Sequence, residues 1–537
     1  LSESAERTVS AVDARRLWLA LVVLVTVAIA PALVGGWVYD DHALPVQPLY
    51  ARWSDVALAF VRSSDDYFRA IRPDEPLASG GQTWRPVPNA LFAAVNASVG
   101  PSALAHHLVS LSAHWLALLA LVWWAARDGL VRRAHAIVIA VFALHPALIE
   151  AYAYINGRSD AMAGAALLAG ALALKRQRWW GWFAALLVAV ASKETSIVAS
   201  FFIVLAFAKG ERAMRPAWLA WIVAIAVGIG ARAAVSGSSA TIRTDASLVE
   251  LCGAWLRWIA IATESLLFPS VRAMRLLAWE LSAPWTARAL LALVATGALL
   301  AMCRGWVSRV LVVGAIATAS PAIAVANAFW MGSDRYLYQP AALLALVALS
   351  MSEERARSVE RKVTPLLAGV ALFVLVTLTA ISSLSYRSER WFAARMRDAR
   401  PDDPTGYIVG AREAIVANDR DEARSLLAAT ERQRAVAPQA HRIIMLAISL
   451  GDLVLAERAI RAQQARGAIN ARLTADLFDL RARQGRWQDA ARAASALLDG
   501  AGGERARRVR VLRAIARSWP PATQREAEVR GVIQVLR

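Results

Sequence analysis

Apolar stretches separated by short polar connections run from residue 17 to residue 384, after which the pattern becomes helical in period, with polar and Arg-rich faces. A helix rising 1.5 Å per residue needs about 20 residues to cross a hydrocarbon core of ~30 Å. Stretches of that length, or nearly so, cover 17–38, 104–126, 134–154, 159–174, 179–192, 194–208, 216–235, 286–303, 308–326, 336–350 and 364–384. The pattern predicts an all-α polytopic membrane protein with about eleven transmembrane helices. Several stretches are short, so their charged ends are expected to face a water-filled cavity. Trp255–Phe268 is apolar but breaks the alternation of the loops, and is expected to form a re-entrant or buried helix that ends at Pro269 without crossing.

Past residue 400 the chain repeats. Asn418-Asp419-Arg420-Asp421-Glu422-Ala423, Gly451-Asp452-Leu453-Val454-Leu455-Ala456 and Gly485-Arg486-Trp487-Gln488-Asp489-Ala490 are spaced by 33 and 34 residues. That is the period of a helix-turn-helix tetratricopeptide repeat, in which stacked pairs form an α-solenoid with a concave binding groove. In each block the first residue ends a helix and the Ala five positions on lets the next helix pack closely. The expected organisation is therefore a membrane domain over 1–385, with an external loop over 39–105, and a repeat domain over 386–537. Within the loop, Val56, Ala57, Phe60 and Val61 recur at helical spacing, which predicts an amphipathic helix lying in the interface.

Charge sets the orientation. Arg15-Arg16, Arg127–Arg133, Lys175–Arg178, Lys209–Arg215, Arg304–Arg309 and Arg355–Lys362 occupy alternate connections and fall on one side if the amino terminus is cytoplasmic. An odd number of crossings then puts the repeat domain outside the bacterial inner membrane, in the periplasm. The formal charge of +19 invites a nucleic-acid reading. The excess, however, sits in these loops and, in the tail, among interleaved acids, so no nucleic-acid partner is expected. Two cysteines, Cys252 and Cys303, without metal spacing predict neither a disulfide framework nor a zinc site. The first span follows Arg15-Arg16 and lacks a small-residue cleavage site, so no cleavable signal peptide is expected.

The polar residues of interest collect on the outer connections. Asp40 and Asp41 follow the first span, where unpaired acids are costly, and are the leading candidates for a reactive centre. Arg85, Arg158, Lys193 and Arg335 supply cations suited to an anionic headgroup, and Glu150, Asp160, Glu194 and Tyr336 lie beside them in the sequence. A carboxylate near such cations suits deprotonation of an acceptor hydroxyl. Blander readings stand alongside: Lys193-Glu194 as a solvated turn, Arg158 and Asp160 as a structural ion pair, His106, His107 and His145 as core or interfacial histidines, and Trp84, Trp123, Trp124, Trp179, Trp180 and Trp182 as belt residues. A divalent metal on Asp40, Asp41 and Glu150 is the disfavoured alternative to a metal-independent site.

Several of these stretches, in order, resemble one family. Tyr39-Asp40-Asp41 is similar to the acidic motif of GT-C glycosyltransferases, and Trp84-Arg85-Pro86-Val87-Pro88-Asn89 to the aromatic-Arg-Pro motif of their first external loop. His145-Pro146, Glu150 and Gly157-Arg158-Ser159-Asp160 resemble a stretch of the transmembrane and tetratricopeptide-repeat O-mannosyltransferases. Ser192-Lys193-Glu194-Thr195 and Asp334-Arg335-Tyr336-Leu337-Tyr338-Gln339-Pro340 resemble further motifs of that family, whose architecture the repeat tail completes. The resemblance implies transfer of a sugar, with mannose the family's choice, from a polyprenyl-phosphate donor to a hydroxyl acceptor, with inversion. It implies Asp40 or Asp41 as base, Lys193, Arg335 and Arg158 on the donor phosphate, Arg85, Glu150, Asp160, Glu194 and Tyr336 around the pocket, and a protein acceptor recruited by the repeats. Ser236–Pro284 follows the family only loosely. A lipid-linked-sugar flippase and a membrane-anchored repeat scaffold are the alternative readings.

Overall fold

A computed structural model describes residues 11–42, 51–63, 84–126, 128–208, 215–236, 248–271, 287–320, 333–359, 365–399, 401, 403–430, 437–465, 471–486, 488–490 and 492–493. Outside the described residues lie Arg127, most of the expected basic connections near 209–214 and 360–364, the end of the span expected over 308–326, part of the external loop, part of the region after residue 236, and Trp487. The side chain of Asp40 lies outside them too. The described residues are mostly helical, and the chain divides into two compact units, one ending at Ser388 and one beginning at Glu389.

The first unit opens on the exception to the helical pattern. Strand β1 (Ala11–Asp13) pairs antiparallel with β2 (Leu130–Arg132), Val12 opposite Val131. Asp13 then caps α1 (Ala14–Ala28), its carboxylate accepting the Arg16 N–H at 2.9 Å. Short α2 (Ala30–Leu33) and a 3₁₀ turn (Tyr39–His42) follow. Next come α3 (Trp53–Leu58), α4 (Pro86–Val99), which starts on the proline of the Trp-Arg-Pro stretch, and α5 (Ala103–Ala125). The expected interfacial helix is the six-residue α3. Phe60 and Val61, just past its end, are exposed, while Val56 packs on the cluster of Phe92, Ala93 and Ile155.

Helix α6 (Arg133–Ala143) breaks at His145-Pro146 and resumes as short α7 (Ile149–Ala153). Then run α8 (Arg158–Lys175), α9 (Trp179–Ser192), α10 (Ser196–Phe207), α11 (Arg215–Ser236), α12 (Leu248–Leu267), α13 (Ala287–Met302), α14 (Trp306–Ala319), α15 (Tyr338–Val359) and α16 (Pro365–Ser383). Helix α8 is central, packing on α5, α9, α10 and α15. Its small residues permit this: a Cβ on Gly164 would meet the Tyr338 ring at 2.5 Å, and one on Gly170 would meet Trp182 at 2.7 Å.

Among the described residues three helices are long and apolar enough to cross a membrane: Ala103–Ala125, Arg215–Val235 and Leu367–Tyr386. The pair Arg133–Ala143 and Pro146–Ala153, bent by 47°, makes a fourth if counted as one broken span. Of the other expected spans, those over 179–192, 194–208 and 308–326 overlap the shorter apolar helices Trp179–Ser192, Ser196–Phe207 and Trp306–Ala319. At 1.5 Å per residue the twelve residues of α10 cover only about 18 Å. Hydropathy carried the 134–154 stretch across the helix break at His145-Pro146, whereas the break at Lys193-Glu194-Thr195 falls where the 179–192 and 194–208 stretches meet. The Trp255–Phe268 stretch belongs to α12, and Pro269 lies beyond its end.

In the second unit α17 (Glu389–Ala399) packs on α18 (Thr405–Val416), followed by α19 (Arg420–Ala429), α20 (Ala437–Leu450), α21 (Leu453–Ala465) and α22 (Ala471–Arg483). The three repeat blocks share one turn geometry. Asn418, Gly451 and Gly485 are left-handed, at φ of 60°, 76° and 73°. The following N–H returns to the carbonyl five residues back in each: Asp419 to Ala414, Asp452 to Ala447, Arg486 to Arg481. This is the Schellman end of a helix, which favours Gly or Asn at the left-handed position. Asp419 and Asp452 then cap α19 and α21, and Ala423, Ala456 and Ala490 are fully buried. Ile408, Ile444, Leu455 and Leu480 belong to the shared apolar core.

Candidate functional site

The helix breaks of the first unit gather its polar residues. The break before α8 begins at Gly157, where a Cβ would lie 2.2 Å from the Glu150 carbonyl, so only glycine lets the two turns touch. The first turn of α8 then delivers Arg158 and Asp160, both buried. Lys193 and Glu194 come from the break between α9 and α10, and Arg335 and Tyr336 from the 3₁₀ turn Asp334–Leu337 ahead of α15. Arg85 is the N-cap residue of α4.

Asp160 is the hub. Its Oδ2 accepts from Lys193 Nζ at 3.0 Å and lies 4.0 Å from Arg335 Nε, too far for a hydrogen bond. Lys193 and Asp160 are each 2% exposed, so the pair is desolvated and each charge is compensated by the other. The Tyr336 ring lies 4.7 Å from Lys193 Nζ and 5.5 Å from the Arg335 guanidinium, which also sits 5.6 Å from the Tyr154 ring. Arg85 forms a two-point bridge to Glu194, Nε to Oε2 at 3.1 Å and Nη2 to Oε1 at 2.6 Å. Partly shielded from solvent, the two charges compensate each other through this bridge. Arg85 in turn lies within the field of Asp160 and Tyr336.

Glu150 adds a buried carboxylate to the same cluster. Its Oε1 accepts a hydrogen bond from Ser333 Oγ, and it interacts electrostatically with Arg335, Asp334 and Asp160. Among the described residues, Arg335 Nε and Nη1, Glu150 Oε2 and Gln339 Oε1 have no hydrogen-bond partner. Gln339 is fixed by its Nε2, which donates to Thr195 Oγ1 at 3.1 Å. Buried groups of this kind are normally satisfied, so a set holding both empty donors and empty acceptors is suited to a ligand that supplies the reverse.

Asp41 and Arg158 form a separate part. Asp41 is fully buried, its Oδ1 accepting from the Asn156 N–H at 2.9 Å and its Oδ2 from the Val38 N–H at 3.3 Å. Tyr39, two residues earlier, holds φ at 52°, a sparsely populated conformation for an aromatic residue. Arg158 donates from Nε to the Ile155 carbonyl at 3.2 Å and from Nη2 to His106 Nδ1 at 3.0 Å and the His106 carbonyl at 3.1 Å, with the guanidinium 4.1 Å from the Phe92 ring. His106 Nε2 then faces Asn96 Oδ1 at 2.8 Å. Arg158 interacts electrostatically with Asp41. Of the three cations expected on one phosphate, then, Lys193 and Arg335 share the Asp160 hub, while Arg158 is fully buried against Phe92 and His106. His145 bridges elsewhere, its Nε2 meeting the Leu266 carbonyl at 3.0 Å.

Sequence reasoning did not single out Tyr154, Asn96 or Val38, and gave no role to Gln339, which stands within the Asp334–Pro340 stretch, or to Ser333 immediately before it; the backbone of Val38 carries no signal. Among the described residues no group of three or more His, Cys, Asp or Glu is arranged to hold a metal, and neither Cys252 nor Cys303 is in a disulfide. No protein-family model, curated protein or solved structure matches the chain.

Proposed function

We propose that the chain is an integral-membrane GT-C-type glycosyltransferase that moves a sugar, in the family's pattern mannose, from a polyprenyl-phosphate donor to a hydroxyl acceptor outside the inner membrane. The observation that carries this reading is the set of unfilled buried atoms: Arg335 Nε and Nη1 beside Glu150 Oε2. A sugar phosphate presents what they lack, an anionic oxygen for the guanidinium and a sugar hydroxyl for the carboxylate. The eleven-crossing topology and a periplasmic tetratricopeptide solenoid that presents a protein acceptor belong to the same proposal. The recurring left-handed turns and buried alanines of the second unit support the repeat.

In this reading the acceptor oxygen attacks the anomeric carbon, the bond from that carbon to the phosphate oxygen breaks, and the acceptor proton passes to a carboxylate. Charge grows on the departing lipid phosphate, and Arg335, backed by the Lys193–Asp160 pair, stabilises it. Asp41 gives both carboxylate oxygens to backbone N–H groups in a site closed to solvent, which suits an anchor. The base is therefore assigned to Asp40, with Asp41 holding the turn that carries it. Arg158 is assigned to the same anchor, through its field on Asp41 and its bonds to His106. The test is reconstitution of purified protein in liposomes with polyprenyl-phosphate mannose and a periplasmic protein extract, following label by mass. Label should move to protein and be lost in Arg335→Gln; tracer crossing the bilayer with no product formed would replace the transferase reading by the flippase one.

A further inference from the structure

Between α5 and α8, away from the Asp160 hub, runs an open-sided groove of about 660 Å³. Its walls are one stripe from each helix: Val109, Leu116 and Trp123 on α5, and Met162, Ala169 and Arg176 at the end of α8. Each stripe spans fifteen residues, so at 1.5 Å per step the groove is roughly 21 Å long, more than the ~15 Å depth of one leaflet's hydrocarbon. Small side chains make it concave where an ordinary lipid-facing surface would be convex and filled by Leu or Ile. Helix α5 is one of the three long apolar helices, and Leu116 in the groove is 57% exposed.

Polarity along the groove identifies its occupant. Its apolar length ends on Arg176, whose guanidinium lies 5.9 Å from the Trp123 ring. The neighbouring Lys175 is already committed, donating to the Trp124 carbonyl at 3.0 Å with its ammonium 4.5 Å from that ring. Arg132, Arg133 and Arg178 share this end with two acids among the described residues, Asp13 and Asp128, and Asp13 is engaged as the cap of α1. The cationic end is the opposite end of α8 from Arg158 and Asp160. A lipid lying here thus has its headgroup at the end far from the proposed donor-phosphate site, the reverse of the donor's direction.

We infer that this groove is a binding site for one anionic phospholipid of the leaflet on the Arg176 side, with an acyl chain along Leu116 and Ala169 and the headgroup phosphate on Arg176. The inference rests on the chain lying in a bilayer and not on sugar transfer. Trp123 and Arg176 form an aromatic-cationic rim of the kind that anchors headgroups at the interface.

The test is native mass spectrometry of the full chain released from nanodiscs of phosphatidylglycerol and phosphatidylcholine in equal amounts. The wild type should retain one phosphatidylglycerol. Arg176→Gln, an exposed position that leaves packing intact, should lower that retention about fivefold, the scale of one basic side chain at an anionic lipid surface, and Arg176→Lys should keep it. Ala169→Phe should displace phosphatidylglycerol and phosphatidylcholine alike. Equal retention of the two lipids by the wild type, unchanged phosphatidylglycerol retention in Arg176→Gln, or a polyprenyl phosphate as the molecule lost in Ala169→Phe would each overturn the site. Membrane-bound protein that retains no phospholipid overturns the site alone. Recovery of the chain in the soluble fraction overturns the membrane reading and the site together.

Discussion

Replacing Asp41 by Asn separates an anchoring carboxylate from a reacting one. In the folded chain Asp41 accepts two backbone N–H groups, from Asn156 at 2.9 Å and Val38 at 3.3 Å, and is closed to solvent. An amide of the same shape has one oxygen, so one of those N–H groups would face an NH₂ donor with no acceptor available. Leaving a buried donor unfilled costs about 1–3 kcal/mol, and the remaining bond loses its charge assistance, for a total of about 2–4 kcal/mol. The lost negative charge also removes the field that Arg158 experiences in a fully buried position, which acts in the same direction. The expected result for Asp41→Asn is a melting temperature lower by on the order of 5–10 °C, read by intrinsic fluorescence in detergent. Asp40→Asn is expected to melt as the wild type does and to lose on the order of 10²–10⁴ in kcat, the range of a general base. An Asp41→Asn protein that melts like the wild type but transfers no sugar would refute the anchor assignment and make Asp41 the base.

Four further outcomes follow from the geometry. Arg335→Lys keeps the charge but not the planar fork, and should raise the donor KM by roughly tenfold, the cost of one charged hydrogen bond, in a transfer assay with saturating acceptor. Arg85→Ala and Glu194→Gln should be non-additive, with a coupling of about 1 kcal/mol in a thermal double-mutant cycle, because the two-point bridge is about a quarter exposed at Arg85 and a third exposed at Glu194. Gly157→Ala forces a Cβ to within 2.2 Å of the Glu150 carbonyl, so the turn must open; a cost of about 2–4 kcal/mol and loss of transfer are expected, checked by melting and activity together. In the second unit, hydrogen bonds from Gln484 first, then Arg461 and Arg481, lower the Glu457 carboxyl to about 2. Because the folded state favours the charged form, this stabilisation is complete above the ordinary carboxylate range and fades as pH falls from about 4.5 toward 2. Limited acid proteolysis of the full chain should show Glu457→Gln losing the pH dependence that the wild type has across that window.

What was legible in the sequence follows from what local chemistry determines. The repeat turns could be read because a helix end with a left-handed residue selects Gly or Asn: Asn418, Gly451 and Gly485 hold that conformation at the spacing the blocks announce. The residues Asp160, Lys193, Arg335, Glu194 and Arg85 were legible as a group because polar side chains at helix breaks in an apolar chain have few places to go but toward one another. Their pairing was not legible, since it depends on which break faces which. Arg85 binds Glu194, 109 positions away, and Lys193 binds Asp160 rather than standing free. Span length is less legible: the 134–154 stretch is continuous in hydropathy but bends at His145-Pro146, and the stretches on either side of Lys193-Glu194-Thr195 fold as the short apolar helices α9 and α10.

The tandem acids show where reading by residue type stops. Asp40 and Asp41 are adjacent and have the same side chain and the same hydropathy, so no local rule separates them. What separates them is the arrival of the Asn156 N–H from the break between α7 and α8, which captures Asp41 at 2.9 Å. That arrival depends on Gly157, since any larger residue would push the break away from Glu150. Gly157 therefore links the buried carboxylate of Glu150 to the anchored turn of Asp41. If that link holds the site together, Gly157→Ala should weaken the Asp41 anchor as well as transfer, and combining it with Asp41→Asn should cost less stability than the two separate losses summed. Full additivity of the pair would show the two turns to be independent, and would leave the position of the acids to be set by α1 and the Val38 N–H alone.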